Sequence, residues 1–87
     1  MKKIWVDGAW EEYVGWLTKD KRSFKKINQL IKSIDRNGYQ CIGKPEQLSA
    51  NFQGWWSVRI NQKDRLVFKI ENDSIIILQC GNHYLDK

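Results

Sequence analysis

Eighty-seven residues with ordinary apolar and charged fractions, 41% and 29%, predict one globular domain rather than a disordered chain. No apolar run reaches membrane-spanning length, and Met1-Lys2-Lys3 leads into Ile4-Trp5-Val6 and then charge, unlike a leader peptide. A net charge of +5 points to an anionic partner (nucleic acid, an acidic peptide or an anionic membrane surface), although a solvated lysine excess gives the same number.

Lys2 to Val6 reads as a short strand. Asp7 is a capping residue for the helix that follows, with Glu11 and Glu12 in its first turn. Trp10, Tyr13, Val14 and Leu17 recur at i, i+3, i+4 and i+7, which predicts that they form the buried face. Lys19-Asp20-Lys21 interrupts the pattern, and a second helix runs from about Lys21 to Arg36. Its apolar stripe is Phe24, Ile27, Leu30, Ile31 and Ile34, and its outer surface is a basic ridge of Lys21, Arg22, Lys25, Lys26, Lys32 and Arg36. Asn37-Gly38 is a helix stop.

Tyr39 to Gly54 holds Gly43, Pro45 and Gly54, lacks periodicity, and reads as an ordered loop. The rest is strand-like: Trp55 to Ile60, Arg65 to Ile70 and Ser74 to Cys80, joined by polar turns. Trp56, Val58, Ile60, Leu66, Phe68 and Ile70 are expected to face the helices, with Trp55, Ser57, Arg59, Arg65, Val67 and Lys69 on the other side. Keeping both apolar sets on one side demands an odd-length turn or a bulge. Ile75-Ile76-Ile77-Leu78 does not alternate, which predicts a central strand covered on both faces. The order βααβββ gives an α+β domain with two helices on one face of a mainly antiparallel sheet.

The chemistry on offer is narrow. Cys41 and Cys80 are too few and too far apart for a metal site, and two reduced thiols in a cytosolic protein are expected. There is no Gly-rich phosphate loop or nucleophile elbow. Simple binding and metal-free acid/base catalysis remain. Cleaving RNA in the second way needs a base for the ribose 2′-OH, a cation for the phosphoryl oxygens and an acid for the departing 5′ oxygen.

Glu46, after Gly43-Lys44-Pro45, is the candidate base, and Lys44 brings positive charge beside it. Taken alone, a solvated loop carboxylate is the commoner meaning of such a residue. Arg59 and Arg65 are the candidate cations, because guanidinium is a planar donor fork that stays charged, though surface ion pairing explains either equally simply. His83, the one histidine, titrates near neutrality and is the candidate acid, with Tyr84 able to stack on a base. A lone terminal His is more often incidental.

Several runs resemble one family. Ile4-Trp5 followed by Trp10-Glu11-Glu12-Tyr13, then Lys25-Lys26-Ile27-Asn28-Gln29-Leu30-Ile31, is similar to the start of YoeB-type (Txe) toxins of the RelE superfamily. Gly43-Lys44-Pro45-Glu46-Gln47-Leu48, Gly54-Trp55-Trp56-Ser57-Val58-Arg59-Ile60, Asp64-Arg65-Leu66-Val67-Phe68 and His83-Tyr84 continue the likeness over the whole chain. The resemblance implies a RelE-like ribonuclease domain that cuts messenger RNA on the ribosome without a cofactor and is neutralised by an acidic YefM-type antitoxin. Homodimers are a further possibility it raises. It implies Glu46 as base, His83 as acid and Arg65 as the phosphorane stabiliser, with Arg59 and Tyr84 assisting in RNA binding and orientation; Lys44, by its charge, is expected to bind RNA beside them. The chain departs from the family pattern at Gln47, Ser49 and Val58 and in the Leu85-Asp86-Lys87 extension.

Overall fold

The computed structural model describes residues 1–81, and within them two helices and five strands follow in the order β1 (Lys2–Trp5), α1 (Asp7–Lys19), α2 (Lys21–Asn37), β2 (Glu46–Gln47), β3 (Trp56–Arg59), β4 (Arg65–Glu71) and β5 (Ser74–Cys80). The strands form one sheet ordered β1-β5-β4-β3-β2, antiparallel except that β1 lies parallel to β5. The α+β class matches the expectation, with one element added. Glu46–Gln47 pairs with Trp56 and Ser57 as a two-residue edge strand inside the segment read as loop. Its only signature is a distant partner, which no local pattern reveals.

α2 follows its sequence pattern. Ile27, Leu30 and Ile34 are fully buried and Phe24 and Ile31 half-buried, against Val58, Leu66, Phe68, Ile75 and Ile77. Asp20 caps the helix by accepting the Arg22 N–H at 3.1 Å, and Gly38 closes it at φ 63°. At the start of the chain, the terminal amine sits 2.7 Å from the Asp35 carboxylate and tethers β1 to α2.

α1 does not follow its pattern. Its buried side chains are Ala9 and Trp16, with Glu12 and Tyr13 half-buried, whereas Trp10, Val14 and Leu17 are about half exposed. Val6 rather than Asp7 is the N-cap, and no side chain caps this end. The helix is pinned at both ends: the Val6 N–H donates to the Ile77 carbonyl at 3.0 Å, and Trp16 Nε1 donates to the Cys80 carbonyl at 2.9 Å. Those bonds turn small Ala9 and polar Glu12 inward. Of the stripe that the i, i+3, i+4, i+7 rule selects, Tyr13 packs against the core while Trp10, Val14 and Leu17 do not.

Both devices needed for a consistent sheet are present. Ile60 and Asp64 bracket the three-residue turn Asn61-Gln62-Lys63, so Val58 opposes Leu66 and Trp56 opposes Phe68 on the helix side. A bulge on β5 sets Val67 opposite Gln79 but Phe68 opposite Ile77, leaving Leu78 as the extra residue. Ile75, Ile77 and Cys80 consequently face the core. β5 is central as expected, yet Ile76 and Leu78 are half-buried, so its second face is covered only in part.

Candidate active site

The face of the sheet turned away from the helices carries the charged residues in rows. Directly paired residues of neighbouring strands project to the same side. Glu46 pairs with Ser57, Ser57 with Val67, and Val67 with Gln79, which makes one row across four strands. One step along, two residues or roughly 7 Å away, Arg59 pairs with Arg65. On the other side of the Glu46 row, the Lys69 ammonium lies 4.7 Å over the Trp55 ring.

Each member of this face is held by identifiable local structure. Gly43 anchors the loop that ends in Glu46. It takes φ 95°, its carbonyl accepts the Arg59 N–H at 2.9 Å, and a Cβ there would sit 2.6 Å from Leu30 Cδ2 and 3.0 Å from Val58 Cβ. Only glycine lets the loop pass so close to both helix and sheet. Lys44 follows at φ 55°, exposed, and Glu46 is exposed on its edge strand.

Arg65 is half-buried, and its Nη1 donates to the carbonyls of Asn61, Asp64 and Gln62 at 3.1, 3.2 and 3.4 Å. The turn that supplies these acceptors is stiffened by Asn61, whose Oδ1 accepts the N–H of Asp64 at 2.8 Å and of Lys63 at 2.9 Å. Asn61 Nδ2 donates to Ser23 Oγ at 3.1 Å, which donates to Asp20 at 2.8 Å. The guanidinium is thus braced from one nitrogen, and its planar fork carries further N–H groups on Nη2 and Nε.

Arg59 and Arg65 stand directly opposite each other, and like charges in that arrangement repel. An anion placed between them converts the repulsion into two attractions. The sheet therefore presents a cationic pair one row from a carboxylate.

His83 and Tyr84 lie outside the described residues. The chain reaches them through Gly81, whose N–H donates to the Arg65 carbonyl at 2.9 Å. Of the six site residues drawn from sequence, the structure brings Glu46, Arg59 and Arg65 onto one face and sets Lys44 in the loop leading to it. Gly43 and Asn61 were not singled out as supports. Their cue, a Gly/Pro loop and an Asn at a turn, marks a bend without saying what it holds.

Other chemistry is poorly supplied. Among the described residues no group of three or more His, Cys, Asp or Glu is placed to hold a metal, and no helix is long and apolar enough to cross a membrane. Both thiols are free and buried. Burial, with Glu12 and Asp64 nearby, pushes the Cys80 thiol up to about 12, and burial raises Cys41, so neither is a thiolate at neutral pH.

Comparison with known proteins identifies the family. The sequence profile of the YoeB-like toxin of bacterial type II toxin-antitoxin systems matches residues 5–84. Toxin YoeB of Escherichia coli K12 is 45% identical over 84 residues, which cover 97% of this chain and all of the relative. The fold superposes on YoeB in the heterotetrameric YoeB-YefM toxin-antitoxin complex from Staphylococcus aureus with a TM-score of 0.88 and 44% identity, covering 97% of this chain and 98% of that one. It superposes equally on the YoeB dimer from the same organism, with a TM-score of 0.89, 44% identity and the same coverage. The chain belongs to the YoeB-like toxins of bacterial type II toxin-antitoxin systems.

Proposed function

We propose that this toxin is an endoribonuclease that cuts messenger RNA in the ribosome and so stops translation in the bacterial cytoplasm. Glu46 takes the proton from the ribose 2′-OH, which attacks the adjacent phosphorus. Arg65, with Arg59 and Lys44, holds the phosphoryl oxygens as negative charge builds on them. The bond from phosphorus to the 5′ oxygen breaks, and the His83 imidazolium gives that oxygen its proton. The fragments end in a 2′,3′-cyclic phosphate, which opens to a 3′ phosphate, and in a 5′-OH. DNA lacks the nucleophile and is not cut.

The observation that carries this reading is the shared face of Glu46, Arg59 and Arg65, with the two arginines at directly paired positions where an intervening phosphate would reconcile their charges. Glu46 is exposed in the unliganded protein. RNA laid against this exposed carboxylate would strip water from it and strengthen it as a base. His83 follows Gly81 by two residues in the sequence, and the Gly81 N–H donates to the Arg65 carbonyl. Tyr84, next along, assists in binding and orientation.

The partners follow from charge. Lys21, Arg22, Lys25, Lys32 and Arg36 are exposed along α2, and a cleft of about 350 Å³ beside them is lined by Gln29, Lys32, Ser33, Arg36, Asn37 and Ile42. A basic, partly apolar surface of this kind suits the acidic segment of a YefM-type antitoxin and the phosphates of ribosomal RNA. The Staphylococcus aureus relatives assemble with YefM and with themselves, which supports the same partners here, a second copy of the chain included.

The experiment is 5′-end mapping of a defined mRNA, with and without ribosomes, using the parent protein and Glu46→Ala, Arg65→Ala and His83→Ala. Ribosome-dependent cuts that fade in each variant are expected. Arrested translation over intact mRNA would instead make the protein a blocking ligand, and cleavage at parental rate by Glu46→Ala or His83→Ala would cancel the assigned roles.

A further inference from the structure

β5 is flanked on one side by β4 along its whole length, but on the other by β1 only from Ser74 to Ile77. Beyond Ile77 the first strand has turned into α1, and among the described residues no strand pairs with that edge of β5. Cys80 lies on this stretch, fully buried, with its N–H and C=O directed at the uncovered side. Two α1 side chains meet them: Glu12 Oε1 accepts the Cys80 N–H at 2.7 Å and Trp16 Nε1 donates to the Cys80 carbonyl at 2.9 Å. Side chains four apart on one helix face thus continue the ladder that the strand began.

The next residue is held as well. The Gly81 N–H reaches the Arg65 carbonyl, Gln79 Nε2 donates to the Gly81 carbonyl at 2.8 Å, and Gly81 adopts φ 131° against the Trp16 ring. A cleft of about 170 Å³ lined by Glu12, Gly15, Trp16, Lys19, Cys80 and Gly81 opens at this point. Packing therefore leaves room around the chain here, and the hydrogen bonds fix its direction.

We infer that Glu12 and Trp16 are positioning residues: by gripping both backbone groups of Cys80, they fix the end of β5, the last described strand of the chain before His83. The inference rests on His83 acting as the acid in the proposed cleavage. A proton donor displaced by about 1 Å loses on the order of a hundredfold in rate, so a defined exit from the sheet is worth the placement of a carboxylate on the buried face of α1.

The test uses the full-length protein on ribosome-bound mRNA, with amide hydrogen exchange at Cys80 and Gly81 measured in parallel. Glu12→Ala is expected to lower kcat about 10- to 100-fold with KM within about twofold, and to speed Cys80 exchange about tenfold or more. Glu12→Gln keeps an oxygen acceptor for the same N–H and is expected to hold kcat within about threefold. Trp16→Phe keeps the ring, loses the donor, and is expected to fall between them. Parental kcat in Glu12→Ala despite faster exchange would overturn the inference, as would Glu12→Gln failing as badly as Glu12→Ala. Should Glu12→Ala not fold, Trp16→Phe decides, and unchanged kcat there overturns the role. A parent protein that cuts no RNA would remove the proposed function, and Cys80 exchange unchanged in Glu12→Ala would separately show that no grip exists.

Discussion

The two sides of the sheet are built by different forces. On the helix side, Ile27, Leu30 and Ile34 meet Val58, Leu66, Phe68, Ile75 and Ile77, each at 0% exposure, and burial of apolar area dominates. On the far side, Glu46, Arg59 and Arg65 are aimed by strand register, by the Asn61 turn and by the loop hung from Gly43. Apolar packing tolerates some reshaping as long as volume is kept, whereas an aimed polar group loses its use with a small displacement. Damage to the first side should therefore appear as lost stability, and damage to the second as lost rate in a folded protein.

Arg65→Ala should show the largest separation between the two. Cleavage is expected to fall about 10²- to 10³-fold, the cost of removing one group that stabilises transition-state charge, while the melting temperature moves only by the loss of the turn bonds from Nη1. Leu30→Ala should do the reverse, costing about 2–5 kcal/mol of stability with the rate per folded molecule retained. Denaturant unfolding and single-turnover cleavage on the same samples measure both. The contrast breaks if Arg65→Ala unfolds the domain as readily as Leu30→Ala does, or if folded Leu30→Ala has lost its cleavage.

Gly43→Ala strikes both sides at once. The new methyl would lie 2.6 Å from Leu30 Cδ2 at φ 95°, so overpacking alone should cost about 1–3 kcal/mol, and the shifted loop should carry Glu46 out of line. Cleavage per folded molecule should fall with stability in this variant. Gly54→Ala is the control: its φ is 94°, but nothing lies within 4 Å of the added carbon. It should cost about 1–2 kcal/mol of backbone strain and leave a folded enzyme able to cut.

The same division explains what could be read from the sequence. α2 was legible because one apolar stripe meets one apolar sheet face, and Ile27, Leu30 and Ile34 are where periodicity puts them. α1 was not, because its orientation is decided by Trp16 and Glu12 bonding the Cys80 backbone, and an inward-turned, half-buried Glu does not register in an apolar pattern. β2 escaped because two residues, Glu46 and Gln47, have no period, and the run Ile75 to Leu78 hid its phase because a bulge shifts it. The sequence named the charged residues of the candidate site but not the supports that aim them. A small effect checks the α1 result: Leu17→Gln, at 47% exposure, should alter stability by no more than about 0.5 kcal/mol, against a core-sized loss had the apolar stripe faced inward.

The smallest expected effect concerns the point where the two sides meet. Asp20 ends α1, caps α2, and accepts from Ser23, which in turn accepts from Asn61 of the turn bracing Arg65. The hydrogen bond from Ser23, helped by the Ser23 and Arg22 backbone and the Arg22 charge against partial desolvation, holds the Asp20 carboxyl below its ordinary value. A carboxyl lowered by folding stabilises the native state above its unfolded pKa, and that contribution disappears as pH falls through the lowered native value. Asp35, lowered first by its bond to the terminal amine and then by Lys3, adds a second contribution of the same sign. Asn caps a helix as well as Asp does, so Asp20→Asn should melt close to the parent at pH 7 and lose less stability on acidification. Thermal melts stepped from pH 7 to pH 3 read the difference. Identical slopes would mean that the carboxylate charge at Asp20 contributes nothing to the tie between the helix hairpin and the turn behind Arg65, and that the far side is braced by neutral hydrogen bonds alone.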